Sequence, residues 1–193
     1  MGTQATSQKS FGDTIRWYKE LTHSTYIMFY DKLSKGEDGL YHVRAFTDDR
    51  KRYFVQLNNV TITDVGEDLV FETDSEKITT IHEMNIQNAI ENSQAWFGKA
   101  LTEKTLRAAY TREDTLSAER IQSVKVFDHD KTPATLESLE PGEVCSVIVE
   151  FAGLWFAKKA FGPSWNLVQV KKHQREEKFD ESYPEDYMFE DDE

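Results

Sequence analysis

A mainly β domain with inserted helices (α+β) is the fold class this sequence predicts. Three features of its patterning carry that prediction. Runs rich in aromatic and β-branched residues fill the stretch from Thr25 to Val60, helical spacing takes over from Met84 to Tyr110, and strand character returns from Ile121 to Lys172. A chain of 193 residues accommodates one domain of ordinary size with extensions. The expected division is a flexible N-terminus (1–10), one domain (11–175) and a disordered acidic C-terminal segment (176–193).

Each element has its own signal. After a polar start, Phe11, Trp17 and Tyr18 mark a segment expected to dock on the body. Thr25 to Asp31 and Leu40 to Phe46 flank Lys35-Gly36-Glu37-Asp38-Gly39, turn chemistry that predicts a hairpin. From Arg52 to Val60, Tyr53, Val55 and Leu57 alternate with Phe54, Gln56 and Asn58, the period of a strand with two unlike faces. Leu69 to Glu72 is a short strand candidate. In the helical stretch Ile86, Ile90, Phe97 and Leu101 carry the apolar spacing, Gly98 is placed to end a first helix and Thr102 to cap a second. Ile121 to Phe127, Val144 to Ala157 and Ser164 to Lys172 are the later strands. A three-strand meander, a helical connection between strands 3 and 4, and two closing strands match an OB-fold-like Greek-key β-barrel.

Charge divides the chain unevenly. Of a net −12, the segment 176–193 carries −9 and everything before it only −3. A uniform −12 would argue against polyanion binding, which depends on Lys and Arg neutralising phosphates; a nearly balanced body does not. No apolar run approaches the ~20 residues of a membrane span, and Met1-Gly2-Thr3-Gln4 lacks a signal-peptide layout, so a soluble intracellular protein with no membrane partner is expected. The single cysteine, Cys145, stands in an apolar run and reads as a buried packing thiol.

Enzymatic constellations fail on spacing. His82-Glu83 opens like a zinc-protease helix, but Ile86 stands where the second histidine is required. Asp128-His129-Asp130 precedes Lys131-Thr132-Pro133 and reads as a turn. No phosphate-binding glycine loop, nucleophile elbow or cysteine pair is present, so neither an enzyme nor a cofactor is expected.

The stretch Gly153 to Lys172 is different, because it interleaves two Trp and two Phe with four Lys. Single strands need cations along the phosphates and flat faces on which bases stack. Trp155, Lys158, Lys159, Phe161, Trp165 and Lys171 are therefore candidate contacts, with Arg52 and Tyr53 as a smaller cluster and Lys99 extending the basic surface alongside Lys104 and Arg107. The competing reading makes the aromatics core residues of two paired strands and the lysines ordinary turn residues. In the acidic segment, Tyr187 and Phe189 beside Asp191 and Asp192 offer apolar anchors to a partner, and a tethered polyanion competes for a basic groove.

The run Glu150 to Val170, with Trp96-Phe97-Gly98-Lys99 and the acidic end, resembles single-stranded DNA-binding proteins of large DNA viruses of eukaryotes, which are related to phage replication proteins with an OB-fold and an acidic tail. The resemblance implies sequence-tolerant binding of single-stranded DNA in replication, recombination or repair, at the site of DNA replication, with the tail recruiting replication proteins. RNA as a ligand and a homodimer remain open at this point. The alternative is a non-catalytic interaction protein whose acidic tail docks basic partners.

Overall fold

Alternation builds the first long strand. In β4 (Tyr53–Val65), Val55, Leu57, Val60 and Ile62 are buried while Gln56, Asn58 and Asn59 face solvent. A register shift between Leu57 and Val60 admits the extra residue, with Asn59 at φ 55°. The computed structural model describes residues 28–174. The expectations for 1–10, for Phe11 to Tyr18 and for 176–193 lie outside the described residues.

A hairpin precedes β4, as the turn chemistry predicts. Short strands β1 (Phe29–Tyr30) and β2 (Ser34–Lys35) both pair antiparallel with β3 (Tyr41–Phe46). After β4 the chain turns into β5 (Asp68–Glu72), passes through helices α1 (Glu76–Glu91), α2 (Ser93–Phe97) and α3 (Glu103–Ala109), and returns as β6 (Thr115–Phe127). A short β7 (Pro133–Ala134) and a 3-10 turn (Leu136–Ser138) lead to β8 (Val144–Phe156) and β9 (Phe161–Lys172).

Five of these strands close on themselves. β4 pairs with β5, β5 with β6, β6 in parallel with β9, β9 with β8, and β8 with β4 again. Taken in chain order, the ring runs first, second, third, fifth, fourth and back to first: a closed Greek-key barrel of OB type. Closure leaves no free edge within the ring. Its interior holds Leu69, Phe71, Ala118, Cys145, Val147, Phe151, Leu167 and Val170, all at most 1% exposed. Each large apolar side chain so buried is worth about 1.5 to 3 kcal/mol. Cys145 is a packing thiol, pushed up to about 11 by burial.

Membership of the ring differs from the expected meander. Leu40 to Phe46 lies outside it, because β3 touches just one strand of the ring, β8, and there only its distal part, from Gly153 to Phe156. The ring's second strand is β5, so the helical connection enters between the ring's second and third strands rather than its third and fourth. Gly153 makes the change of partner possible. It sits at φ 138° beside a register shift, and a Cβ there would stand 1.9 Å from the Val43 carbonyl oxygen.

The helical stretch also begins earlier than Met84, at Glu76. The β-branched run Ile78-Thr79-Thr80-Ile81 depresses helix propensity, yet Ile78, Ile81, His82, Asn85, Ile86 and Ala89 form a buried stripe at helical spacing. Packing overrides the local preference. Gly98 ends α2 at φ 71°, and the Thr102 hydroxyl accepts the Thr105 N–H at the start of α3, as expected of both. Asp128-His129-Asp130 forms a turn closed by the Lys131 N–H on the Asp128 carbonyl.

Candidate nucleic-acid interface

The β8–β9 hairpin places the aromatic and basic residues of the sequence. Its turn, Ala157 to Ala160, is closed by the Ala157 N–H donating to the Ala160 carbonyl at 2.8 Å and leaves Lys158 and Lys159 exposed. Two rungs below, Trp155 pairs with Gly162, and a Cβ on Gly162 would meet the indole at 3.0 Å. The missing side chain lets the indole lie against the neighbouring strand, where Trp155 is half-buried. Trp165 is only 6% exposed and packs on Phe151 with ring centroids 5.1 Å apart.

Trp155, Pro163 and Trp165 line one side of a cleft of about 190 Å³. Its lining also includes Thr115 and Ser117 from the start of β6, His82 from α1, and the loop residues Thr111, Glu113 and Asp114. The loop is held in place by the Thr111 N–H donating to the Phe161 carbonyl at 2.8 Å. This brings Arg112 beside the hairpin. Lys99 joins the same end, because Phe97, two residues before it, packs edge-on against both Phe156 and Phe161 at 5.4 and 5.3 Å. Lys99, Arg112, Lys158 and Lys159 thus surround the barrel end that holds the cleft, and none has a carboxylate partner among the described residues.

A buried polar chain fixes His82. The Tyr30 hydroxyl donates to Asn85 Oδ1 at 2.7 Å, Asn85 Nδ2 donates to the Tyr110 hydroxyl at 2.9 Å, and that hydroxyl lies 2.7 Å from His82 Nδ1. Each hydrogen is used once if Tyr110 donates to a neutral imidazole. Burial first, and then the Arg112 guanidinium, push His82 below its ordinary value. Burial pushes both tyrosines up.

The expected contacts divide. Trp155, Trp165, Lys158, Lys159 and Lys99 converge on this end. Phe161 does not offer a face: it is fully buried, stacked on Phe156 at 5.7 Å and edge-on to Tyr110, so its place in the expected site is corrected to one in the core beneath the turn. Lys171 lies near the opposite end of β9, beside Ser146 and Phe127. Arg52 reaches the buried Glu150 carboxylate at 3.4 Å, which Asn166 also bonds at 3.3 Å, and Tyr53 is half-buried on the rung of Phe151. Arg107 is tied to Glu103 and Glu83. Tyr187, Phe189, Asp191 and Asp192 lie outside the described residues. The sequence reading considered His82 only as a metal ligand and missed Arg112 and the acidic pair Glu113 and Asp114, whose mixed-charge loop carries no local signal beyond that of a loop.

Fold and cleft together define a closed OB-type β-barrel with an aromatic, lysine-rimmed end. The chain belongs to a family of unknown function, DUF5871, whose model matches residues 58–191. No curated protein matches it. Among solved structures it is similar to a C-terminal truncation of the single-stranded DNA-binding protein from bacteriophage Enc34, with 12% identity, 79% of this chain and 98% of that chain covered, and a TM-score of 0.46. It is also similar to the same phage protein in complex with single-stranded DNA, at 14% identity, with 76% and 96% covered and a TM-score of 0.45. The barrel assignment rests on the ring closure described above. Among the described residues no helix is long and apolar enough to cross a membrane.

Proposed function

We propose that this chain is a non-catalytic single-stranded DNA-binding protein, sequence-tolerant, that protects and organises single strands in replication, recombination or repair. One observation carries the reading: at a single end of a closed OB-type barrel, Trp155, Pro163 and Trp165 line a cleft, and the exposed Lys158 and Lys159 stand in the hairpin turn two rungs beyond Trp155. In barrels of this type the second and third strands and the loop between the fourth and fifth form the usual oligonucleotide face. Here those parts are β5, β6 and the Lys158-Lys159 turn. An indole backed by Gly162 presents a π-face for a base, and the unpaired cations meet the phosphates. The resemblance of Glu150 to Val170 to viral single-stranded DNA-binding proteins points the same way. In this reading the acidic segment 176–193 competes for the basic rim and recruits replication proteins through Tyr187, Phe189, Asp191 and Asp192.

The test is a titration of tryptophan fluorescence with oligothymidylate and with duplex DNA at two salt concentrations. Quenching by the single strand that weakens steeply with salt is expected. If single strands cause no quenching at low salt even after removal of the acidic segment, the reading is wrong. The burial of Phe156, Phe161 and Trp165 favours the second reading, an interaction protein whose aromatic strands are all core. Capture of basic proteins by the acidic segment without any DNA response would support it.

A further inference from the structure

A second group of uncommitted cations lies on the outer wall of the barrel, away from the cleft. Other basic residues are held in ion pairs: Arg52 by Glu150, Arg120 by Glu137, Lys172 by Glu143. Lys125, Lys131 and Lys171 have no such partner among the described residues.

Sheet register brings these lysines to one face. In the parallel pair, Lys125 stands opposite Gln169 and Phe127 opposite Lys171; on β8, Ile148 and Ser146 continue the same rungs, and Gln56 of β4 stands opposite Ile148. The intervening Val126, Val147, Val170 and Leu57 are buried, so the alternate set faces outward. Lys131, in the turn after β6, closes the end. A groove of about 500 Å³ results, lined by Gln56, Asn58, Phe127, Lys131, Ile148 and Lys171 among others, with no Asp or Glu in its walls. The nearest acids in sequence are Asp128, beside Phe127, and Asp130, beside Lys131; neither lines the groove, and Asp130 is occupied by Thr132, whose N–H and hydroxyl donate to its Oδ1 at 2.9 and 2.7 Å. The cleft at the hairpin end, by contrast, has Glu113 and Asp114 in its wall.

The chemistry favours one ligand class. Lysines meet phosphates, the amides of Gln56, Asn58 and Gln169 both donate and accept as base edges do, and Phe127 and Ile148 supply apolar surface for a base or sugar. A purely acidic peptide such as polyglutamate would use the lysines and leave the apolar surface idle. We propose that this groove is a second binding site for the backbone and bases of single-stranded nucleic acid, separate from the cleft. The proposal rests on the single-strand reading above and adds a place to it. Along β9, Lys171 is six residues from Trp165, about 20 Å at ~3.3 Å per residue. A tetranucleotide, about 14 Å long at ~3.4 Å per nucleotide, seated in the cleft therefore does not reach the groove, and a much longer strand does.

The full-length protein and its Lys125→Gln, Lys131→Gln, Lys171→Gln variant are titrated with oligothymidylates of about 4 and about 30 nucleotides across a salt series. Glutamine keeps the first two methylenes of the stem and a polar end without the charge, and at Lys131, where φ is 72°, it adds no backbone burden that lysine lacks. The expected result is about a tenfold loss of affinity for the longer strand and a salt slope reduced by about 2, with the shorter strand bound as before. Ultraviolet crosslinking with peptide mapping should place adducts at Phe127 with the longer strand alone. An unchanged affinity and slope for the longer strand, or adducts confined to Trp155 and Trp165, overturns the second site while leaving the cleft intact. Equal losses for both lengths overturn its separateness. If the parent binds neither length, the single-strand reading falls and this proposal with it. If the variant loses only the binding of a polyglutamate peptide, the occupant is an acidic peptide and the proposal is wrong.

Discussion

Gly153 is where a single atom decides the course of the chain. A Cβ at that position would stand 1.9 Å from the Val43 carbonyl oxygen, and its φ of 138° is one that other L-residues rarely adopt. Gly153→Ala is expected to cost about 3 kcal/mol of stability in a urea unfolding experiment, and a variant with the parent's midpoint would refute this account of the strand's change of partner. Trp155 is the residue on which the cleft's chemistry turns. Trp155→Ala is expected to weaken oligothymidylate binding by about 1 to 3 kcal/mol and to remove much of the fluorescence quenching, with the circular dichroism spectrum unchanged. The sequence places both Trp155 and Phe161 in the aromatic run, yet only the structure separates them. Phe161 faces Phe156, Phe97 and Tyr110 in the interior, whereas Trp155 lies against Gly162 at the wall of the cleft.

Elements set the next level of behaviour. The β8–β9 turn holds Lys158 and Lys159 in solvent at the end of two long paired strands, so removing their charge leaves the hairpin's backbone bonds untouched. Lys158→Gln with Lys159→Gln should lower the salt slope of single-strand binding by about 1.4, the share of two phosphate contacts, and an unchanged slope would remove the turn from the interface. Helix α1 brings a pH response through His82. Its folded-state value lies below the ordinary 6.5, so the unfolded chain takes up the proton first as pH falls. The stability due to the neutral imidazole is complete above pH 6.5 and is lost as the pH falls through the folded value. Thermal unfolding between about pH 7.5 and 5.5 should therefore show a falling midpoint that is shallower in His82→Gln, and parallel curves would contradict the buried chain from Tyr30 to His82. α1 was only partly legible: its apolar spacing was visible from Ile86 onward, but the β-branched turn at Ile78 to Ile81 reads locally as something other than helix.

At the scale of the molecule, charge is the organising quantity. The −9 of segment 176–193 stands against a body at −3 whose unpaired lysines gather at the hairpin end and on the outer wall of β6 and β9. Removing the residues after Gln174 should tighten oligothymidylate binding at low salt, with the gain shrinking as salt screens the competitor; equal affinities with and without the segment would make it a mere appendage. The sequence by itself determined most of the strands, the start and end signals at Thr102 and Gly98, the burial of Cys145 and the uneven charge. Those properties depend on side-chain periodicity and on residues close along the chain. Tertiary structure alone decided that β5 rather than β3 belongs to the ring, that the parallel contact of β6 with β9 closes it, and that His82 and the loop residues flanking Arg112 line the same cleft as Trp155. Those outcomes depend on contacts between segments far apart in sequence, where the gain from burying a shared core, and not any local preference, selects the partner.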